Sequence, residues 1–85
     1  MDWKLYAWVN RGSRRKGVLE LLAKSEKPLS TNEIKKSLKI AISQASFTLK
    51  ELLSKKLVEC MNPKDKIGKL FRITKKGKVV LNDKQ

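Results

Sequence analysis

Histidine is absent from this 85-residue chain, and cysteine occurs once, at Cys60. Without histidine there is neither a Cys-His pair nor a Ser-His-Asp triad, and a lone cysteine builds no zinc cluster and no internal disulfide. Cys60, with Val58 two residues before it, reads as a strand-interior thiol that packs rather than reacts. No apolar run reaches the roughly 18 residues that a membrane-spanning helix needs. Residues Met1 to Asn10 lack the basic start and small-residue cleavage site of a secretory signal, so the expectation is a cytoplasmic protein. Acidic residues are also few, 8 against 21 Lys and Arg, for a formal charge of +13. A small domain so basic repels itself, and the usual reason is a polyanionic partner: DNA, RNA or an anionic membrane. The chain is too short for two domains, so residues 1–85 read as one. A domain of this size buries roughly 60 to 65% of its unfolded surface and leaves no room for a deep catalytic cleft. With no general base at a motif spacing, the expectation is a non-enzyme without cofactor or metal.

What is present is an apolar fraction of 40%, spread in short patterned blocks. Asp2 can cap a short helix to Val9, a segment holding Trp3, Tyr6 and Trp8, three of the five aromatic residues. Such rings at a terminus close over the core or form a subunit contact. Val18, Leu19, Leu22 and Ala23 share one helical face, predicting a helix over Ser13 to Lys24 that Pro28 helps to terminate. Ser30 and Glu33 make a capping box, with Leu29 and Ile34 as its hydrophobic staple, opening a helix to Leu38. After a break over Lys39 to Ile42, the residues Ile42, Ala45, Leu49, Leu52 and Leu53 recur with helical period to about Lys55. The apolar runs Leu57 to Met61 and Leu70 to Ile73, separated by a polar basic loop, predict a β-hairpin. Thr74 can cap a last helix with Val79, Val80 and Leu81, in which Gly77 costs about 1 kcal/mol relative to Ala.

A capped helix, a short turn and an amphipathic helix form a helix-turn-helix, and the hairpin makes it winged. The predicted fold is therefore mainly α with a small β-hairpin: a three-helix core, a two-stranded wing and a C-terminal helix. At this point the chain resembles small archaeal winged helix-turn-helix transcriptional regulators of the ArsR/MarR-like kind. The resemblance lies in Arg15-Lys-Gly-Val-Leu19, Leu29-Ser-Thr-Asn-Glu-Ile34, Ser46 with Leu49-Lys-Glu-Leu52, Leu57-Val-Glu-Cys-Met-Asn-Pro63 and Phe71-Arg-Ile-Thr-Lys-Lys-Gly77. It covers residues from about 13 to 82 and implies double-stranded DNA binding. Lys39 and Lys56 depart from it, standing where such proteins often have glycine.

Stepping the third helix of this core, Ile42 to about Lys55, at about 100° per residue turns Ser43, Phe47, Lys50, Glu51 and Ser54 outward, flanked by Gln44, Ser46 and Thr48. A small polar surface of this kind enters a major groove, where Gln pairs with adenine and an apolar group meets a thymine methyl. The candidate base contacts are Ser43, Gln44, Ser46, Phe47 and Lys50; Ser43 also reads as a helix N-cap, and Phe47 as a packing residue. Candidate backbone contacts are Thr31 and Asn32, Arg14 and Lys16, and Lys64, Lys66, Lys69 and Arg72 of the wing. Basic residues number 7 in positions 1–29, 6 in 30–57 and 8 in 58–85, so composition alone selects no single face. Arg15 reads instead as a half-buried partner of Glu51. A homodimer through Trp3, Tyr6, Trp8 and Val80 would set two third helices in successive major grooves. The alternatives are a winged module that binds another protein, favoured by Phe47 and the aromatic start, and a non-specific DNA- or RNA-binding protein.

Overall fold

The computed structural model describes residues 2–82; Met1 and residues 83–85 of the expected single domain lie outside the described residues. Five helices and three strands follow one another as α1 (Trp3–Arg11), α2 (Ser13–Lys24), β1 (Leu29–Ser30), α3 (Thr31–Leu38), α4 (Ile42–Ser54), β2 (Val58–Cys60), β3 (Leu70–Ile73) and α5 (Lys75–Asn82). This is the mainly helical winged fold read from the sequence. Local signals set most of its boundaries. Asp2 accepts from the Leu5 amide at 3.1 Å, and the Thr74 hydroxyl accepts from the Gly77 amide at 3.0 Å. The Ser30–Glu33 box closes in both directions, at 3.2 and 2.9 Å.

The hairpin of β2 and β3 is antiparallel, pairing Val58 with Ile73, Glu59 with Arg72 and Cys60 with Phe71. The wing was expected to be two-stranded, but β1 adds a third strand. Leu29 pairs with Phe71 and Ser30 with Leu70, which makes β3 the central strand. Two residues are too few to show a period of two, and their partner lies far along the chain, so only tertiary folding reveals this pairing.

Leu19, Ile34, Leu49, Leu52 and Leu57 are the largest fully buried side chains, joined by Val9 and Val18 from α1 and α2. Each such leucine or isoleucine contributes about 1.5 to 3 kcal/mol of burial. Ala23 and Ile42 were expected on inward faces; both are exposed. Each stands at the open end of its helix, beyond the reach of the shared core.

Gly77 occupies an interior helical position because nothing larger fits. A Cβ there would overlap the backbone carbonyl of Leu57, the same carbonyl that accepts from the Thr74 amide at 3.0 Å. The propensity cost expected at Gly77 is thus offset by close docking of α5 on the start of β2.

Lys39 and Lys56 take the left-handed backbone conformation, with φ of 56° and 61°. Both end a helix. The Ile40 amide donates to Lys35 at 3.2 Å, the Leu57 amide to Leu52 at 3.0 Å and the Lys56 amide to Leu53 at 3.0 Å, as in glycine-terminated helices. The chain therefore keeps the turn before α4 and the cap after it, using lysine where glycine is the relaxed choice.

Candidate nucleic-acid interface

Helix α4 buries Ala45, Leu49 and Leu52 and exposes Ser43, Gln44, Phe47, Lys50 and Ser54, as the 100° phasing predicts, while Glu51, expected outward, is half-buried. Thr48, expected to flank the outer face, instead turns in and donates its hydroxyl to the Gln44 carbonyl at 2.8 Å. The exposed surface has two flanks. Ser46 and Lys50 look across an open groove of about 660 Å³ toward the sheet, whose far wall carries Pro63, Lys69 and Phe71; Thr31, the first residue of α3, lines it too. Phe47, 63% exposed, borders the other flank, a hollow shared with Arg11, Gly12, Arg14 and Arg15 from the α1–α2 junction. The start of α3, one flank of α4 and the wing-loop residues Pro63 and Lys69 therefore lie around one groove, with Phe47 on the opposite flank of α4.

Two sequence expectations change at the first turn of α4. Ser43 is not its N-cap; the helix begins at Ile42, with Ala41 in the capping position. Alanine has no side-chain acceptor to offer the first-turn amides, so only the reciprocal half of a capping box is present: the Gln44 side chain accepts from the Ala41 amide through Oε1 at 3.0 Å. A bidentate glutamine–adenine contact needs both ends of the amide. With Oε1 engaged in the cap, Gln44 offers its Nε2 hydrogens.

The expected phosphate contacts separate into groups. Thr31 and Asn32 sit on the first turn of α3, fixed by the Ser30–Glu33 box. The Ser30 amide, helped by nearby Lys27 and Lys36, holds the Glu33 carboxyl below the usual carboxylate range. Arg14 borders the Phe47 hollow, and Lys64, Lys66 and Lys69 are exposed on the wing loop. Two residues fall outside this arrangement. Lys16 lines a hollow with Tyr6, Val9, Glu20 and Val80 between α1 and α5, because successive residues of α2 point in different directions. Arg72 donates to Glu59, directly opposite it in the ladder, at 2.7 Å, and of the expected phosphate contacts it alone has a carboxylate partner among the described residues.

The aromatic start divides as well. Trp3 is 54% exposed and meets Tyr6 edge to face, with ring centroids 5.7 Å apart. Trp8, expected at a subunit contact, is engaged within its own chain: the Arg15 guanidinium lies 4.0 Å from its ring centroid and the Lys55 ammonium 5.4 Å. Arg15 also donates to the Trp8 carbonyl at 2.7 Å and to both Glu51 oxygens, at 3.1 and 3.4 Å. The expected Arg15–Glu51 pair is thus present, and it ties α1 and α2 to the C-terminal part of α4. Val80, the fourth expected subunit contact, is buried in the core of its own chain, and Val79 beside it is the exposed residue. One helical step, about 100°, separates the two.

Sequence reasoning passed over Ile67, which is 91% exposed at the wing tip, and Asn62, whose side chain organises the wing loop. Neither belongs to a periodic pattern. A second basic hollow, lined by Lys4, Arg11, Lys55, Lys56 and Lys76 around Trp8, draws its residues from α1, the end of α4 and α5, so no stretch of sequence announces it. Among the described residues no helix is long and apolar enough to cross a membrane, and no group of three or more potential metal ligands converges.

No family profile matches the chain, and no curated protein matches it. Solved structures do. An S. aureus MepR variant bound to an oligodeoxyribonucleotide is 25% identical with a TM-score of 0.72, over 81% of this chain and 51% of that one. A MepR variant from a multidrug-resistant S. aureus clinical isolate is 26% identical with a TM-score of 0.77, over 94% of this chain and 58% of that one. A MarR-family transcriptional regulator from Rhodococcus sp. RHA1 is 21% identical with a TM-score of 0.77, over 94% of this chain and 56% of that one. The chain spans between 51% and 58% of the lengths of these three structures. Its structural neighbours are MarR-family winged-helix transcriptional regulators, and its fold is theirs.

Proposed function

We propose that this chain binds double-stranded DNA as a sequence-preferring transcriptional regulator, with α4 in the major groove and the wing on the backbone. One observation carries the reading: Ser46 and Lys50 of α4, Thr31 at the start of α3 and Lys69 of a lysine-bearing wing loop border the same groove, beside the exposed polar residues Ser43 and Gln44 at the start of α4. The excess of 21 basic over 8 acidic residues supplies the counter-charge, and a structural neighbour at 25% identity is bound to an oligodeoxyribonucleotide. Ser43, Ser46, Phe47, Lys50 and the donor end of Gln44 face the bases. Thr31, Asn32, Arg14, Lys64, Lys66 and Lys69 meet phosphates.

The functional unit in this reading is a homodimer joined through Trp3 and Tyr6 of α1 and Val79 of α5, which leaves Trp8 and Val80 to their intramolecular roles. Replacing Trp3 by Ala then yields monomers in sedimentation, and a dimer that persists moves the interface elsewhere.

Selection from a random duplex pool at about 150 mM salt tests the whole reading, because specific complexes survive conditions that screen backbone attraction. The expected result is an inverted repeat with half-sites about one helical turn, roughly 10 base pairs, apart. Retention without enrichment would reduce the function to backbone binding. No retention would favour a protein partner, for which the exposed Phe47 is the anchor.

A further inference from the structure

We propose that Ile67 is an apolar wedge that enters the minor groove of the bound duplex, unstacks a base step and bends the DNA; this rests on the DNA-binding reading above. Isolated apolar residues on a surface are ordinary. Ile67 is set apart by its degree of exposure, 91% against 63% or less for every other large exposed hydrophobic residue described. It is β-branched and sits at a bend of the wing loop, just before Gly68, where polar residues and glycine are the usual occupants. Nothing in its own fold accounts for it.

The loop that carries it is built and not slack. Asn62, at its base, donates through Nδ2 to Asp65 at 2.8 Å and to the Gly68 carbonyl at 3.1 Å. Through Oδ1 it accepts from the Leu70 amide at 2.8 Å and from the Cys60 thiol at 3.7 Å. The Asp65 amide closes back on the Asn62 carbonyl at 3.1 Å. A loop backbone tied in this way on both sides of Ile67 fixes where that side chain projects from, which lowers the entropy cost of ordering the loop on insertion. Immediately after it, Gly68 has a φ of 74°, and no atom stands within 4 Å of where a Cβ would be. Glycine here turns the chain away from the tip and presents no side chain beside Ile67.

The surroundings select the partner. Lys64, Lys66 and Lys69 are exposed around the tip, and the one acid among them, Asp65, accepts from Asn62. Cations beside an apolar residue suit a phosphate-walled slot with an apolar floor of stacked bases, and isoleucine is among the side chains that wedge between base steps from the minor groove. An anionic membrane shares part of this chemistry. The duplex is favoured because Pro63 and Lys69 of the same loop line the groove that Ser46 and Lys50 of α4 line, so wing and α4 address one body. Pyrimidine–purine steps unstack most easily, so the wedge also adds a preference at a position that α4 does not touch.

The test uses the full chain and a short duplex that it retains, with fluorophores at both ends. Energy transfer should rise on binding as the duplex bends. Ile67→Ala should straighten the complex and weaken it about tenfold, the scale of losing one buried aliphatic side chain, with the salt slope unchanged. Lys66→Ala should keep the bend and lower the salt slope by about one. Because Ile67 touches no core residue, circular dichroism should show the Ile67→Ala fold unchanged. A straight wild-type complex, or an Ile67→Ala complex as bent and as tight as wild type, overturns the wedge and leaves DNA binding standing. Absence of any complex overturns both.

Discussion

Arg15→Ala is the substitution that most directly probes how α1 and α2 are held to α4. The guanidinium donates to the Trp8 carbonyl at 2.7 Å, forks onto both Glu51 oxygens and lies 4.0 Å from the centre of the Trp8 ring. Removing a charged donor from a partly buried carbonyl costs about 1.5 to 3 kcal/mol. A fully buried ion pair would add about 3 to 5 kcal/mol on truncation and an exposed one about 0 to 1. With side chains 22% and 25% exposed, the Arg15–Glu51 pair falls toward the lower range. The stacking on Trp8 adds about 0.5 to 1 kcal/mol. These contributions share one group and do not add in full, so the expected loss is about 2 to 4 kcal/mol, a large part of a small domain's total. Urea unfolding followed by tryptophan fluorescence measures it. Arg15→Lys should recover less than half, because an ammonium has no planar fork with which to serve Glu51 and Trp8 together. Gly12 supplies an internal control: a Cβ there would lie 2.7 Å from Cδ and 2.9 Å from Cγ of Arg15. Gly12→Ala should therefore destabilise the native protein and do little in the Arg15→Ala background. A loss below about 1 kcal/mol for Arg15→Ala, or full additivity of the two substitutions, would refute the linkage.

Four further outcomes are expected. Gly77→Ala should destabilise by about 2 kcal/mol or more, opposite in sign to helix propensity, because its Cβ meets the Leu57 carbonyl; a raised melting temperature would contradict that packing. Lys39→Gly and Lys56→Gly should each stabilise by about 0.5 to 1 kcal/mol, seen as melting shifts of a few degrees, since both positions are left-handed. Glu33 titrates below the usual carboxylate range in the folded chain, so its contribution is fully present above that range and is lost as pH falls below it, through the lowered value of the folded state. Glu33→Gln, which keeps a capping oxygen without a charge, should flatten that part of an acid titration followed by circular dichroism. In binding assays across a panel of duplexes, Gln44→Ala should relax preference at one or two base pairs by about 1 to 3 kcal/mol, whereas Lys66→Ala should weaken all sequences alike. Identical behaviour of the two would undo the division between readers and backbone contacts.

Much of the fold was readable because its signals are local. The Ser30–Glu33 box, the Asp2 and Thr74 caps and the helical phase of Ala45, Leu49 and Leu52 each act within a turn or two of chain, so residue spacing reports them directly. The Arg15–Glu51 pair was also within reach, since a cation on an apolar helical face needs an anion when it is buried. The wing-tip isoleucine was not, because exposure at a loop tip leaves no trace in hydrophobic periodicity.

The sequence alone thus determined the helix order, most helix boundaries, the inward face of α4 and the excess of positive charge, all of which follow from neighbouring residues and simple counting. Tertiary structure decided what depends on the space between elements. It paired Leu29–Ser30 with β3, turned Val80 inward and Val79 outward, and closed Arg15 and Lys55 on Trp8. It also separated Lys16 from Arg14, set Gln44 to capping Ala41, and lifted Ile67 clear of the core. The physical reason is common to all of these. A helix or strand fixes the angle between its own side chains, but which side chain is covered, capped or left in water is settled only when a distant element arrives beside it.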